Sequence, residues 1–319
     1  MKLVDIVPVL EDNQYKLKST VDAYEVLINE ATWRRLRAMG TKPLDRLKAD
    51  DYLLHLMLSE RGHMAEGVSE PVLRGTEGLH VVGIETTDMC NLQCEHCYLG
   101  PKKNKTLSRE AFRRVVDGAY ELGASAISVT GGEPKLDPEL FEKMAYARSR
   151  DFKVTMVTNA TLWTREDAKT LRDLRLEAVA VSLNGPKKEH EAIYGEGQYE
   201  RTVERMKWLI EEGNNVYVNF NIYDGNAHVL PEFEKFCREL GVKGMNVGHI
   251  KPIGWGANMK DRIVEETPVC CGRGGKEQIF VKADGRVIPC GFLDDQTMGN
   301  VYAEGLPAIY RRRRAAAKP

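Results

Sequence analysis

Ala126-Ile127-Ser128-Val129-Thr130-Gly131-Gly132-Glu133-Pro134 is the stretch on which the fold turns. A short run rich in β-branched residues, stopped by two glycines and a proline, reads as a strand entering a tight turn. Arg109 to Leu122, before it, carries apolar residues at helical spacing, with Ser108 as N-cap and Gly123 as stop. Leu140 to Ala147, after it, reads as a second helix. The alternation continues as strand Phe152 to Thr158, helix Arg165 to Leu174, strand Ala178 to Leu183, helix Tyr199 to Glu212, strand Val216 to Ile222, helix Leu230 to Leu240 and strand Lys243 to His249. Upstream, Leu79 to Thr86 supplies a first strand. Apolar strands alternating with helices predict βαβ units and a parallel sheet, either open and doubly wound or part of a (β/α) barrel. In both, chemistry gathers at the C-terminal ends of the strands.

Polar and glycine-rich groups stand at those ends. Gly131-Gly132-Glu133-Pro134 follows the second strand, Thr158-Asn159 closes the third, Ser182-Leu183-Asn184-Gly185 ends the fourth, and His249-Ile250-Lys251-Pro252 ends the sixth. After the first strand comes Cys90-Asn91-Leu92-Gln93-Cys94-Glu95-His96-Cys97. Three thiolates this close can hold three irons of a [4Fe–4S] cube and leave the fourth iron open for chemistry. On spacing alone they serve equally as half a zinc site, with His96 as a fourth ligand, or as a chance cluster. Gly131-Gly132 alone could be only a turn, Glu133 a helix-start carboxylate, and Ser182 or Asn159 a cap.

The rest of the 319 residues narrows the class. Apolar residues make 42% and charged residues 29%, with a formal net charge of −1, so no global field draws nucleic acid or a membrane. No long apolar run reads as a transmembrane span or signal core, and a cytoplasmic protein is expected. Seven cysteines there favour metal binding or catalysis over disulfides. Cys237 alone reads as a buried helix residue.

From about Gly83 to Lys251 the chain resembles radical S-adenosylmethionine (SAM) enzymes. CX3CXΦC appears as Cys90, Cys94, His96 and Cys97; the GGE motif appears as Gly131-Gly132-Glu133; the strand-four ribose motif appears as Ser182-Leu183-Asn184-Gly185, with Asn184 where many relatives carry Asp. The resemblance implies a partial (β/α)6 TIM-like barrel over residues 76–255. It implies that Cys90, Cys94 and Cys97 hold a [4Fe–4S] cluster whose open iron chelates SAM. It also implies that Gly131 and Gly132 let backbone approach the cofactor and that Glu133 accepts from its amino group. Asn159, Ser182 and Asn184 suit the ribose or carboxylate, while His96 and Ile250 lie near adenine. One electron, from a donor such as ferredoxin or flavodoxin, would yield a 5′-deoxyadenosyl radical that abstracts hydrogen from substrate.

Near the C-terminus, Cys270-Cys271-Gly272-Arg273-Gly274 precedes Gln278-Ile279-Phe280-Val281, Asp284-Gly285 and Arg286-Val287-Ile288-Pro289-Cys290. Asp-Gly between two β-type runs is a hairpin signal. Thirteen residues between Cys271 and Gly285, then four to Cys290, resemble the first half of the SPASM pattern, CX9–15GX4C. The later cysteines of that pattern are absent, so the shorter twitch form over residues 256–319 is the closer likeness. It implies an auxiliary iron–sulfur cluster ligated by Cys271 and Cys290. Cys270 is a less regular third ligand, because neighbouring residues in an extended segment point apart.

Residues 1–75 read as a small α+β domain: strands at Lys2 to Val9, Tyr15 to Ser19 and Tyr24 to Leu27, helices at Ala31 to Met39 and Ala49 to Glu60. The order, with Asn29-Glu30-Ala31-Thr32-Trp33 and Glu60-Arg61-Gly62, resembles the winged-helix peptide-recognition domain of ribosomal-peptide maturases. The alternative is a lid. The leading expectation is modification of a peptide or protein side chain. A small-molecule or tetrapyrrole oxidation stands second, and a non-catalytic metal-binding module third. No general base stands out; Lys251, Tyr223, His228 and His249 qualify by location only.

Overall fold

The computed structural model describes residues 77–263 and 273–316, and before residue 77 only strand backbone. The chain divides into two compact units, Met1–Gly78 with Ala119–Ala124, and Leu79–Gly118 with Ser125–Pro319. In the first, β2 (Ile6–Glu11), β3 (Gln14–Ser19) and β4 (Glu25–Leu27) form an antiparallel sheet, while β1 (Lys2–Leu3) pairs with β5 (Met64–Ala65). The helices expected at Ala31 to Met39 and Ala49 to Glu60, and the two short motifs beside them, lie outside the described residues.

The second unit is built on a nine-stranded sheet. β6 (Val81–Thr87), β7 (Ala126–Gly131), β8 (Lys153–Thr158), β9 (Ala178–Ser182), β10 (Val216–Ile222) and β11 (Gly244–His249) lie side by side in chain order, all parallel. The sheet does not close into a barrel: β11 is one end of the strand order. Between strands run α1 (Arg109–Glu121), α2 (Leu140–Ser149), α3 (Arg165–Asp173), α4 (Lys187–Tyr194), α5 (Gln198–Glu211) and α6 (Leu230–Glu239). Local signals explain the ends. Ser108 Oγ accepts from the Ala111 N–H and Gly123 follows α1 at φ +91°, while Thr164 and Asp167 form a reciprocal capping box on α3.

Strand periodicity divides the sheet into two faces. Val82, Ile84, Ile127, Val129, Val154, Met156, Val181 and Val218 alternate along their strands, stand opposite one another in register and are fully buried. Phe112, Met144, Leu171, Met206 and Phe233 from the helices complete that core. The other face carries Gly83 beside Ser128, Ser182 beside Asn219, and Asn219 beside Asn246. Small and polar residues there leave the concave face open.

The C-terminal hairpin does more than the sequence implied. β12 (Gln278–Val281) pairs in parallel with β6, through Phe280 opposite Gly83, and β13 (Arg286–Ile288) and β14 (Gly299–Asn300) follow antiparallel. Glu85 on β6 fixes the join: Lys282 Nζ lies 3.0 Å from its carboxylate and the Ala283 N–H donates to it at 3.2 Å. Gly83 is needed there, since a Cβ would lie 2.4 Å from the Phe280 ring. α7 (Leu306–Ala316) ends the described chain with Arg311 to Arg314 exposed, as a solvated helix end should be. Among the described residues no helix is long and apolar enough to cross a membrane.

Candidate active site

A cavity of about 550 Å³ sits in the second unit at the C-terminal ends of the strands. Cys90, Cys94, His96, Cys97, Gly131, Gly132, Asn159, Ser182, Ile250 and Cys290 all line it. Glu133 and Asn184 do not. Cys270 and Cys271 lie outside the described residues.

The cysteine loop leaves β6 and folds back over the end of β7. Gly132 N–H donates to Thr87 O at 2.8 Å and Glu133 N–H to Met89 O at 2.7 Å. A Cβ on Gly131 would lie 2.3 Å from Thr87 O, and one on Gly132 2.1 Å from Met89 O. The glycines therefore admit the backbone of the cysteine loop as well as facing the cavity. Asp88 accepts from the Lys103 and Lys105 N–H groups at 2.8 and 2.7 Å, closing the loop's far side. Below it, Gly254-Trp255-Gly256 clips on: the Trp255 N–H donates to Cys97 O at 2.8 Å, and Gly254 sits at φ +57° where a Cβ would be 2.3 Å from Tyr98 O.

The three thiols are free and half-buried. Burial raises Cys90, and burial with the charges of Cys90 and Cys97 pushes Cys94 up to about 12. Thiols placed this way resist joint ionisation unless a thiolate-binding metal offsets the charge. Among the described residues no three Cys, His, Asp or Glu side chains converge on a single metal ion. A cube needs no such convergence, because each of three irons takes one thiolate. The donor set and its loop fit a cluster with one open iron.

Glu133 is held by the protein's own donors. It is fully buried; one carboxylate oxygen accepts from Thr158 Oγ1 at 2.6 Å and from the Lys135 N–H at 3.3 Å, the other from the Asn159 N–H at 2.8 Å. It ties the end of β7 to the end of β8. Burial raises its pKa and these donors oppose the rise. Asn184 is likewise inside: its Oδ1 accepts from the Asn221 N–H at 3.0 Å, linking the end of β9 to β10. Asn159 does reach the cavity, donating to Asn91 Oδ1 at 3.1 Å and lying 3.9 Å from Cys90 Sγ.

An aromatic stack that sequence reasoning missed stands behind the loop. His190 and Tyr194, on α4, stack at 4.2 Å and 12°, and the Tyr194 hydroxyl lies 3.3 Å from His96 Nε2 and bonds Ser182. The Asn184 N–H donates to His190 Nδ1, so the ring proton belongs on Nε2. Burial holds His96 down to about 4 and His190 to about 3, so both are neutral near pH 7. Ile250 packs with Tyr194, Leu92 and Met259, and Cys90 and Cys94 rest against that cluster. Asn219, Asn221 and Asn246 line the opposite wall, with Asn246 Nδ2 donating to Asn219 Oδ1 at 2.9 Å. Their alternation within otherwise apolar strands was the available signal.

Cys290, at the end of the hairpin, is buried and shares the cavity with the triplet. Tyr98, next to Cys97, meets Phe292 edge-on at 5.2 Å and bonds Thr130, packing the two cysteine segments together.

Two family models match: the radical SAM superfamily over residues 84–240, and the iron–sulfur cluster-binding SPASM domain over residues 270–317. The antilisterial bacteriocin subtilosin biosynthesis protein AlbA of Bacillus subtilis is 26% identical over 261 residues, 71% of this chain and 58% of that protein. Fe-coproporphyrin III synthase of Methanosarcina barkeri is 31% identical over 193 residues, 59% of this chain and 48% of that protein. The chain thus spans about half the length of these curated relatives. The crystal structure of Streptococcus suis SuiB bound to precursor peptide SuiA matches with a TM-score of 0.73 at 14% identity, covering 97% of this chain and 88% of that one, a likeness of fold. With the triplet loop, the glycine pair and the C-terminal hairpin in place, this chain belongs to the radical SAM superfamily and carries an iron–sulfur cluster-binding SPASM domain.

Proposed function

We propose that this enzyme abstracts a hydrogen atom from a peptide or protein side chain during maturation of a natural product or cofactor. One observation carries the reading: the triplet loop, the glycine pair, a wall of carboxamides and Cys290 all open on one cavity. When bound and reduced, the cluster and SAM supply a 5′-deoxyadenosyl radical for that abstraction. Cys90, Cys94 and Cys97 hold the cluster. Gly131, Gly132, Asn159, Ser182, His96 and Ile250 bind SAM, while Glu133 and Asn184 keep those strand ends in register. Asn219, Asn221 and Asn246 offer amide donors and acceptors that suit a peptide backbone or side chain. Tyr194, Ile250 and Phe280 present apolar surface that disfavours water around a reactive intermediate.

Cys271 and Cys290, with Cys270, hold the auxiliary cluster of a domain spanning residues 256–319, beside a core spanning 76–255. Residues 1–75 bind the peptide by adding it as a strand to the β2–β3–β4 sheet. The names of AlbA and of peptide-bound SuiB support this substrate class. The tetrapyrrole alternative has the weaker support of Fe-coproporphyrin III synthase.

The test follows the abstracted atom. The enzyme is incubated anaerobically with dithionite, SAM and a peptide fraction from cells grown in D2O. Deuterium in the recovered 5′-deoxyadenosine is the expected result. None from peptides, with deuterium arriving from labelled coproporphyrin instead, would overturn the peptide reading.

A further inference from the structure

Lys102 lies five residues beyond Cys97, and its Nζ donates to Cys97 Sγ at 3.1 Å. The same ammonium stands 5.3 Å from the centre of the Trp255 ring. Trp255 is in turn fixed to the triplet loop by its N–H on Cys97 O, beside a Gly254 that admits no Cβ. The lysine is thus held on two sides, by a sulfur and by an aromatic face. It is half-buried, lines the cavity, and among the described residues forms no ion pair with a carboxylate.

We propose that Lys102 sets the reduction potential of the cluster held by Cys90, Cys94 and Cys97, making the cluster easier to reduce. This rests on the reading above that the triplet holds a SAM-binding cluster. The physics is that of a fixed cation beside a redox centre. Reduction adds one electron to the cluster, from [4Fe–4S]2+ to [4Fe–4S]1+, supplied by an external one-electron donor, and no bond breaks. The added negative charge is stabilised by the nearby cation, and a hydrogen bond to a ligand sulfur draws electron density from the iron. Both effects favour the reduced form and raise the potential. The cation–π contact and the Trp255 clip hold the ammonium at the sulfur instead of letting it swing into solvent. Lys102 is accordingly a positioning residue whose effect appears in a potential before any turnover.

The test is a redox titration of anaerobically reconstituted full-length protein without SAM, with dithionite as reductant and the reduced-cluster EPR signal as readout. The signal that changes shape on later addition of SAM identifies the triplet's cluster and separates it from an auxiliary one. Lys102→Met and Lys102→Gln should titrate at a more negative potential than the wild type with iron content unchanged. Lys102→Arg, which keeps the charge, should stay near the wild type. Two neutral variants guard against one that fails to load iron. Neutral variants titrating at the wild-type potential overturn the inference, even if their SAM affinity falls. If the wild type shows no SAM-responsive signal, the underlying reading of the triplet fails and this inference with it.

Discussion

The two halves of the cavity rim are built on different plans. On the β6–β8 side, Gly131, Gly132 and Glu133 pack against the protein's own groups, the two glycines against loop carbonyls at the cavity edge and the carboxylate against three donors. On the β9–β11 side, Ser182, Asn219, Asn221 and Asn246 face the open cavity. The first half makes a rigid seat for the cysteine loop, and the second makes a polar wall that a ligand can use. The glycine pair and Glu133 therefore serve largely as the seat, while Asn219, Asn221 and Asn246, outside the recognisable motifs, supply the polar wall.

Substitutions that damage the seat should cost most. Gly132→Ala places a Cβ 2.1 Å from Met89 O and must displace the loop. It should lose most of its iron while keeping native circular dichroism, and iron per chain measures this; full iron would mean the loop has slack. Glu133→Gln comes next, at about 2–3 kcal/mol of stability for a buried group left unsatisfied. The new NH2 has no acceptor in either orientation, because Thr158 Oγ1 already accepts from the Ala160 N–H and Trp163 Nε1. Denaturant unfolding that matched the wild type would break the contrast between the halves.

His190 predicts an effect that appears only on acidification. Its folded pKa is lowered from 6.5 to about 3, chiefly by burial, so the unfolded chain binds a proton that the folded chain refuses. That stability is complete above about pH 6.5 and is lost as pH falls toward 3, at about 1.4 kcal/mol per pH unit. Unfolding midpoints of the wild type should fall over that window, and those of His190→Gln should fall less steeply. The smallest effect on stability is expected on the open wall. Asn246→Ala removes one exposed amide contact and should stay within about 0.5 kcal/mol of the wild type. Yet 5′-deoxyadenosine formation in the presence of substrate should drop. Unchanged activity would place the substrate elsewhere.

Much of this is legible in the sequence. The six parallel strands follow from β-branched runs separated by helical periodicity, and Ser108, Gly123 and Thr164 mark helix ends where the physics of caps requires them. Other features were hidden for identifiable reasons. α4 follows Gly185-Pro186, reads as a turn at its start and has no side-chain cap, so Tyr194 and His190 went unnoticed. The parallel pairing of β12 with β6 joins segments far apart in sequence, which no local period reports; only the small Gly83 opposite Phe280 hints at it. Resemblance to the GGE and ribose motifs of radical SAM enzymes places Glu133 and Asn184 at the cofactor. What no motif reports is that both are buried and accept from neighbouring N–H groups that join adjacent strand ends. The expected ligands Cys270 and Cys271 lie outside the described residues.

Under the proposed function, the triplet seat makes this chain a SAM-cleaving enzyme. Anaerobic incubation of the reconstituted protein with dithionite and SAM, assayed for 5′-deoxyadenosine, tests it most directly. Wild type should form the product, and Cys94→Ala, which removes one ligand from the seat, should form none. Equal product from both proteins, or none from an iron-loaded wild type, would contradict it.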